Sequence, residues 1–552
     1  MKSFPIKICA IVLMTIVASC SKDALRSADT LQQLNAVESV NNPYLLSSVI
    51  KQTALFYQNM GYEASRLPGA VQYIERNYQG SDNYYSGFKQ PIDDMYSAMN
   101  ILKLVEGAIG LTEERGDLVH EGIFKTFRVL LFSFMTDYYG DVYYSQALKA
   151  REGILYPKYD KQADIYTGLL KELDTANTMI ASGTETLDPT YDLVFHGNKL
   201  QWQEFANSLK LRLLMRASNK LPDAAAQIAA IVNNPTATPI FTTADDNVSI
   251  PYIGTTAANS WQGGTLNDNE GTEFDRRRPC KTLVDKLMEL NDPRLKVWIA
   301  PVEDPWTSNP ALNGVTVNTT DPNGFTYTST WELIDRSNPV MAQYLTPDIL
   351  LDSNKLYVGF VAGMPGDWKN GNAHWNTALG GAYGNFKVSK FSQLFRQNSH
   401  PLLKAMIMNS DEVQFILAEA AAKGMITGSA DTYYRNGITF SMKRWGVSDA
   451  DIATYLAQPG IALPGDMAGQ LAQIADQKWL ALFFVSAETY LDIRRTQLPN
   501  IFSNGYLSTY QFPLRYRYPA NESGQNLDAY NAGVSTLSPA VDDQYSKMWL
   551  LQ

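Results

Sequence analysis

The sequence predicts a mostly α-helical protein, with a helical scaffold built from helix hairpins and a long loop-rich insertion that carries the ligand face. Several segments place apolar residues at spacings of three and four, which is the period of an amphipathic helix. Between about residues 236 and 399 this period gives way to Gly, Pro, Asn, Thr and Trp, and only residues 281–290 are predicted to be helical there. Long loops in a helical protein are uncommon unless they serve a function, and binding residues concentrate on loops. We therefore expect helices to form the scaffold and these loops to carry the site.

Three stretches show the helical period most clearly. Helix dominates residues 92–135, with one interruption at the sequence RGD, residues 115–117. The stretches 202–218 and 470–484 each align their large apolar residues on one stripe. Both are expected to be core helices, because an apolar stripe has to be buried against another element.

A helix hairpin is predicted in the C-terminal third. Residues 411–424 and 430–446 both carry helical patterns, and Gly424 stands where a C-terminal capping glycine belongs. Alanines in the first helix, with Gly437 and Ser441 in the second, let two backbones approach closely. This packing is of the tetratricopeptide style. A degenerate helical repeat and an ordinary helix hairpin are both compatible with the pattern.

The first residues have the layout of a secretory signal. Lys2 and Lys7 precede an apolar run at residues 8–17, and small residues lead to Cys20. The run is shorter than the roughly 20 residues of a membrane-spanning helix. We predict a signal peptide at residues 1–19. The alternative is an ordinary signal in which Cys20 is incidental.

The sequence VASC, residues 17–20, looks like the lipobox of a bacterial lipoprotein, the short motif that ends in the acylated cysteine. Cys20 is therefore expected to carry acyl chains such as palmitate. Several acyl chains together would hold the protein firmly at a membrane, whereas a single chain binds only marginally. Residues 20–30 would be the lipidated N-terminus and a flexible tether, since they are mostly short and polar. The folded binding domain is expected at residues 31–552.

Composition limits the classes of partner. The formal net charge of −10 argues against nucleic acid, which calls for a basic face. The cysteines are Cys9 in the signal, Cys20 at the anchor and Cys280 in the body, so no disulfide is expected within the domain. Abundant Tyr, Trp, Asn and Thr suit a neutral, hydroxylated ligand.

No catalytic or cofactor motif stands out. The four histidines lack the spacing of zinc sites, and there is no phosphate-binding loop, dinucleotide fingerprint or nucleophile elbow. The acidic sequence NDNEG, residues 267–271, lacks the ligand spacing of a calcium loop, so a solvated turn is favoured. We therefore expect no catalytic residues, no cofactor and no metal.

Two pairs of acids are candidates for the two carboxylates that flank the scissile bond in a glycosidase. Asp137 and Asp141 surround a glycine that ends a helix, so capping of backbone amides is favoured. Glu488 and Asp492 lie one helical turn apart beside two arginines, so a structural ion-pair network is favoured.

Aromatic residues in the loops are the candidate ligand contacts. They are Trp261, Trp306, Trp368 and Trp375, with a second cluster of Tyr78, Tyr84 and Tyr85 near the N-terminus. The tryptophans lie among Gly, Pro or Asn and not on an apolar stripe, so at least some should be exposed and stack on a sugar ring. The alternative for each one is a place in the core.

Several blocks together resemble the SusD/RagB-like outer-membrane lipoproteins of Bacteroidetes. Besides the box at Cys20 they are TDYYGDVYYSQAL (136–148), WQEFANSLKLRLLMR (202–216), FILAEAAAKG (415–424), YYRNGITFSMKRWGV (433–447), QKWLALFFVSAETYLDIRRT (477–496) and PLRYRYPANE (513–522). Two departures are Tyr143, where the family usually has Pro, and Asn198, where Asp is frequent. Both motifs look structural.

The resemblance implies a helical fold with tetratricopeptide-like hairpins and a function in nutrient capture. The protein would be surface-exposed in the cell outer membrane, bind a nutrient without cleaving it, and deliver it to a SusC-like TonB-dependent transporter. An oligosaccharide is the leading ligand and a peptide the alternative. A surface glycosidase and a structural adaptor that binds only protein are the rival classes. The resemblance transfers no ligand-binding residue.

Overall fold

The structure, a computed structural model, describes residues 41–62, 66–76, 85–335, 337, 353–362, 387–501 and 510–552. Its α-helices are α1 (Asn42–Tyr62), α2 (Leu67–Ala70), α3 (Ser86–Lys89), α4 (Asp94–Arg115), α5 (Leu118–Tyr139), α6 (Gln162–Ser182), α7 (Lys199–Arg216), α8 (Ala224–Val232), α9 (Thr272–Arg276), α10 (Lys281–Glu289), α11 (Arg294–Trp298), α12 (Ser410–Ala422), α13 (Ala430–Arg444), α14 (Asp449–Leu456), α15 (Met467–Ala481), α16 (Ser486–Thr496), α17 (Glu522–Gln525) and α18 (Leu527–Ser535).

The strands are short and pair two by two. The pairs are β1 (Ile74–Arg76) with β5 (Arg277–Pro279), β2 (Val142–Tyr143) with β3 (Tyr159–Asp160), β4 (Asn247–Pro251) with β10 (Lys404–Asn409), β6 (Trp306–Thr307) with β9 (Glu332–Leu333), and β7 (Thr316–Thr320) with β8 (Thr326–Thr330). The β6–β9 pair is parallel and the others are antiparallel. The β1–β5 register sets Arg76 opposite Arg277.

Helices α4 to α7 pack in succession, each against the next. The break between α4 and α5 is made by Gly116, whose φ of 66° is left-handed, and by Asp117, whose carboxylate accepts the backbone N–H of His120 at 3.1 Å. Gly tolerates this φ because it has no Cβ, and an Asp N-cap satisfies an otherwise unpaired N–H group. The predicted helical run with its interruption is confirmed.

The predicted hairpin is formed by α12 and α13. A Cβ on Gly437 would lie 2.8 Å from ring carbons of Phe415, so the glycine is what allows the two helices to pack this closely. Gly424 follows α12 with a φ of 69°. Helix α15 packs on both members of the hairpin. The small residues therefore do what the sequence predicts.

A large apolar core runs through the scaffold. It joins side chains of α1, α4–α8, α10–α12 and α16, and a second cluster fills the space between α12, α13, α14 and α15. The mostly α-helical class is confirmed. Among the described helices, none is both long and apolar enough to cross a membrane.

The loop-rich region differs in detail from the prediction. Only the segment that forms α10 was expected to be helical between about residues 236 and 399, yet α9 and α11 lie there too, each with five residues. Such short helices cannot show an apolar period, so the pattern could not reveal them. The described part of this region also holds β4 to β9.

Candidate functional site

A cavity of about 530 Å³ opens between the end of α1, the start of α4 and the segment from residue 262 to 277. We call it the cleft. Its size lies within the usual range of small-molecule pockets, about 300–1,000 Å³. It is lined by side chains from both halves of the sequence, so tertiary packing creates it.

The loop of residues 261–271, WQGGTLNDNEG, forms one wall of the cleft and is fixed by Trp261. The indole N–H donates to the carbonyl of Phe395 at 3.0 Å, and the backbone N–H donates to the carbonyl of Asn398 at 2.8 Å. The ring packs edge-on against Tyr62, with centroids 5.1 Å apart. Trp261 therefore holds the loop against the scaffold.

Two glycines let this loop lie so close to its neighbours. A Cβ on Gly263 would approach the carbonyl oxygen of Phe395 to 2.5 Å and the hydroxyl oxygen of Tyr62 to 2.7 Å. A Cβ on Gly264 would approach the side-chain oxygen of Asn398 to 2.6 Å. Side chains at these positions would push the loop outward and change the shape of the cleft.

Amide side chains form the accessible polar surface of the cleft. Gln262 donates a hydrogen bond to the side-chain oxygen of Asn59, which joins the loop to α1. Asn267 donates to the carbonyl of Trp261 at 3.1 Å. Asn59 and Asn267 are exposed and Gln262 is half-buried. Because an amide both donates and accepts hydrogen bonds, these groups match sugar hydroxyls.

Aromatic rings lie beside the amides. Phe56, three residues before Asn59 on α1, is half-buried and packs edge-on against Phe134 at 4.9 Å. Tyr62 is buried, and the guanidinium of Arg277 lies 4.4 Å from its ring centre. Burial raises the pKa of Tyr62 to about 12, so its phenol is neutral at physiological pH.

The carboxylate of Glu273 is held by arginines from three directions. It pairs with Arg76 at 2.5 Å, Arg276 at 2.7 Å and Arg277 at 3.2 Å. Burial acts to raise the pKa of Glu273, but the hydrogen bond from Arg276 and the charges of Arg76 and Arg277 outweigh it and lower the pKa. Glu273 is therefore ionised and fully engaged by the protein.

The two other carboxylates of the cleft also have protein partners. Asp94 pairs with Arg66 at 2.8 Å, and burial raises the pKa of Asp94 against the opposing charge of that arginine. Asp268 accepts the backbone N–H of Phe274, in the first turn of α9, at 2.8 Å. The two arginines that line the cleft, Arg66 and Arg277, pair with carboxylates of the cleft, and the uncharged polar lining consists mainly of amides and rings.

Three of the predicted aromatic contacts are described, and all three are buried. Trp261 is 1% exposed, Trp306 2% and Tyr85 4%. Trp306 lies on β6 with the ammonium of Lys387 5.6 Å from its ring centre, and Tyr85 packs edge-on against Phe512. The expectation of an exposed platform is wrong for Trp261 and Trp306, because a Gly- and Pro-rich chain folds over an indole as readily as it exposes one.

The other predicted residues cannot be compared with the structure. Trp368, Trp375, Tyr78, Tyr84 and Cys20 lie outside the described residues. Their roles stay predictions.

Sequence reasoning missed Phe56, Asn59, Ser97 and Gln262 as cleft residues. The signal that could have found Gln262 is its position directly before the pair Gly263–Gly264, which indicates close backbone packing. No comparable signal marks Asn59 or Ser97, because each is one polar residue on the exposed face of a helix.

The candidate glycosidase acids have structural partners within the protein. Asp141 accepts the backbone N–H of Gln162 at 2.9 Å, at the start of α6, as the capping interpretation predicts. Asp137 is not a cap: it is fully buried, pairs with Arg216 and accepts the hydroxyl of Tyr166. Burial raises the pKa of Asp137 and the charge of Arg216 opposes this.

Glu488 and Asp492 belong to the predicted ion-pair network. Glu488 pairs with Arg212 at 3.4 Å and with Arg216, and Asp492 pairs with Arg495 at 3.1 Å and with Lys478. Within the described ranges, no group of three or more His, Cys, Asp or Glu side chains has the arrangement of a metal site.

A family model whose description is starch-binding and associating with the outer membrane, SusD-like_2, matches residues 34–519. The chain belongs to this SusD-like family. The resemblance drawn from the sequence blocks is thereby confirmed. Members of the family are binding proteins, and the family as a whole is associated with the outer membrane and with nutrient uptake.

Solved structures similar to this SusD-like protein cover almost the whole chain. A SusD homolog from Bacteroides fragilis has 22% identity, covers 93% of this chain and 100% of its own, and superposes with a TM-score of 0.69. A SusD homolog from Bacteroides thetaiotaomicron has 19% identity, covers 92% of this chain and 98% of its own, and has a TM-score of 0.64. A chitin-binding protein has 24% identity, covers 91% of this chain and 99% of its own, and has a TM-score of 0.66. At these identities the similarity shows the fold alone. Comparison with the curated proteins finds no match.

Proposed function

We propose that this SusD-like protein binds a neutral oligosaccharide in the cleft, without cleaving it, and delivers it to a SusC-like TonB-dependent transporter. The observation that carries the proposal is that the amides of Asn59, Gln262 and Asn267 and the ring of Phe56 line the same cleft, while the carboxylates of the cleft are held by protein partners. A sugar offers C–H groups to a ring and hydroxyls to amides. The starch-binding description of the family and a chitin-binding structural neighbour support a neutral glycan.

The cleft should lose its ligand when it is filled from the exposed face of α4. Ser97 is exposed and lines the cleft, so Ser97→Trp places an indole in it without disturbing the core. We expect binding to weaken by about tenfold or more, since each lost hydrogen bond and ring contact contributes about 1 kcal/mol. Isothermal titration with maltooligosaccharides, chitooligosaccharides and a set of peptides measures this.

The matched control is Lys103→Trp, which adds the same indole to the exposed face of α4 about 9 Å further along the helix. It should bind as the wild type does. Equal binding by Ser97→Trp and the wild type would show that the ligand lies elsewhere. Binding of a peptide and of no sugar would replace the ligand class, and release of reducing ends from a bound glycan would show a glycosidase.

The proposal also covers the organisation of the chain. It comprises a signal peptide at residues 1–19, an acylated Cys20, a tether up to residue 30 and a binding domain at 31–552. They place the domain on the outer surface of the outer membrane, beside its transporter. Their support is the lipoprotein-like box and the outer-membrane association of the family.

Replacing Cys20 by Ser should prevent thioether-linked acylation and release the protein from the membrane. Because several acyl chains are needed for a firm anchor, we expect the variant in the aqueous phase of a detergent phase separation and the wild type in the detergent phase. Cys280→Ser is the control, since its thiol is buried in the domain. A wild-type protein found in the aqueous phase would contradict the anchor.

A further inference from the structure

A second cavity, of about 540 Å³, lies between the C-terminal ends of α7 and α16 and the last residues of the chain. We call it the basic cavity. It shares no lining residue with the cleft. Its volume is again that of a small-molecule pocket.

Five cationic side chains line the basic cavity, and among the described residues no Asp or Glu side chain does. They are Arg216, Lys220, Arg494, Arg495 and Lys547. This is unusual for a chain with 56 acidic and 46 basic residues. Gln552 also lines the cavity. The lining is therefore electropositive on an acidic protein.

Two of the five charges are compensated from behind the cavity wall. Arg495 pairs with Glu419 at 2.6 Å and with Asp492 at 3.1 Å. Arg216 pairs with Asp137 and Glu488. These pairs fix the two guanidinium groups in place, so they form a rigid part of the wall.

The other three cations have no carboxylate partner among the described residues. Arg494 is 4% exposed, and its Nη1 donates to the carbonyls of Asp137 at 2.7 Å and Leu514 at 2.9 Å, while its Nε has no hydrogen-bond partner. Lys220 is half-buried and Lys547 is exposed, and neither forms an ion pair with a residue in the described part of the chain. A buried guanidinium stays charged, so it favours an anion nearby.

Helix dipoles explain only part of this cluster. Arg216 and Arg494 stand in the last turns of α7 and α16, where the negative end of a helix favours cations. Lys220 and Lys547 lie outside helices, so the dipoles do not account for them. Amides of Asn219, Gln497 and Gln511 add neutral hydrogen-bonding groups to the same cavity.

We propose that the basic cavity binds a sugar-sized ligand that carries an oxyanion, such as the carboxylate of a uronic acid. The cations of the wall meet the charged group, and the amides and the side chains of Phe512 and Leu514 meet the rest. This site is separate from the proposed glycan cleft and does not depend on it. Inorganic phosphate is an oxyanion without the sugar, so the two probes distinguish the sources.

The test is a titration of the full chain with glucuronate, inorganic phosphate and glucose, followed by calorimetry and thermal melts. We expect glucuronate to bind and to raise the melting temperature, and glucose to do neither. The double variant Lys220→Gln/Lys547→Gln should bind glucuronate about tenfold more weakly, because two charge-assisted contacts are lost. Neither lysine is part of the core, so the variant should fold.

The control is Lys103→Gln/Lys171→Gln, which makes the same change of charge at exposed positions of α4 and α6. It should bind glucuronate as the wild type does, and so should Ser97→Trp. The proposal is overturned if glucuronate does not bind, or if Lys220→Gln/Lys547→Gln binds it unchanged. Binding of phosphate alone overturns the sugar-borne ligand.

Discussion

Replacing Trp202 by Ala should lower the free energy of unfolding by about 3–5 kcal/mol, as for other fully buried large aromatic residues. The Trp202 side chain on α7 has no solvent exposure and packs against Phe127 and Phe195, with ring centres 5.8 and 4.9 Å away. Its indole N–H also donates to Asp192 at 2.9 Å. The change therefore leaves a cavity and removes a donor from a buried carboxylate.

Losing the indole N–H should also affect the turn that Asp192 stabilises. Its carboxylate also accepts three backbone N–H groups in residues 194–197, which shapes the turn that leads into α7. Trp202→Phe keeps a ring but removes the N–H donor, so it should cost less, about 1–3 kcal/mol. Urea unfolding followed by far-UV circular dichroism measures both.

Leu200→Ala is the matched control, because Leu200 lies on the same helix and is 53% exposed. It should change stability by less than about 0.5 kcal/mol. If Trp202→Ala unfolded at the same urea concentration as Leu200→Ala, the core role of Trp202 would be wrong. The block around Trp202 is one of those that carry the family resemblance, so this prediction links the resemblance to packing.

The scaffold could be predicted from the sequence because helices leave a local record. The apolar period marks α5, α7 and α15, and small residues mark the α12–α13 hairpin. Each signal lies within about 20 residues of sequence, where spacing alone decides which face is buried. These local patterns do not show which helices and strands pack against each other.

The cleft could not be predicted in this way. Asn59 and Gln262 are 203 residues apart and come into contact only because the 261–271 loop docks on α1. Each looks like an ordinary surface residue in its own segment. A site made of single polar residues from distant segments has no spacing to recognise.

The loop tryptophans show why composition is a weak guide to exposure. Trp261 was expected to face a ligand because Gly263 and Gly264 follow it, yet those glycines let the chain lie close enough to bury it. A glycine-rich segment can therefore indicate a closely packed backbone and not only an exposed loop. The same residues that suggested a ligand platform thus form the support of the cleft wall.

Removing Arg212 should be as damaging as removing Trp202, because this arginine joins three helices through buried charges. From α7 it donates to both carboxylate oxygens of Glu412 on α12, at 2.7 and 2.6 Å, and pairs with Glu488 on α16 at 3.4 Å. The three side chains are at most 5% exposed. Arg212→Met should lower the free energy of unfolding by about 3–5 kcal/mol, because it leaves the buried carboxylate of Glu412 without its ion-pair partner.

The loss should depend on pH in a defined direction. Burial already raises the pKa of Glu412, and Arg212 opposes this, so in Arg212→Met the pKa should rise further. A carboxyl whose pKa is higher in the folded state is stabilising when protonated, and that contribution is lost as pH rises. The variant should therefore be less stable at about pH 8 than at about pH 5, relative to the wild type at each pH.

Two further variants test whether the loss of stability comes from the buried ion pairs of Arg212 or from the loss of any arginine. Arg435→Met removes a partly exposed pair with Asp431 at 2.7 Å and a hydrogen bond to the carbonyl of Leu456 at 3.1 Å, and should cost only about 1 kcal/mol. Arg212→Met/Glu412→Leu removes both buried partners, and should be more stable than Arg212→Met because no unpaired charge remains at residue 412, while Glu488 keeps Arg216. A double variant that is less stable than Arg212→Met, or a single variant indistinguishable from Arg435→Met, would show that the network does not join the three helices.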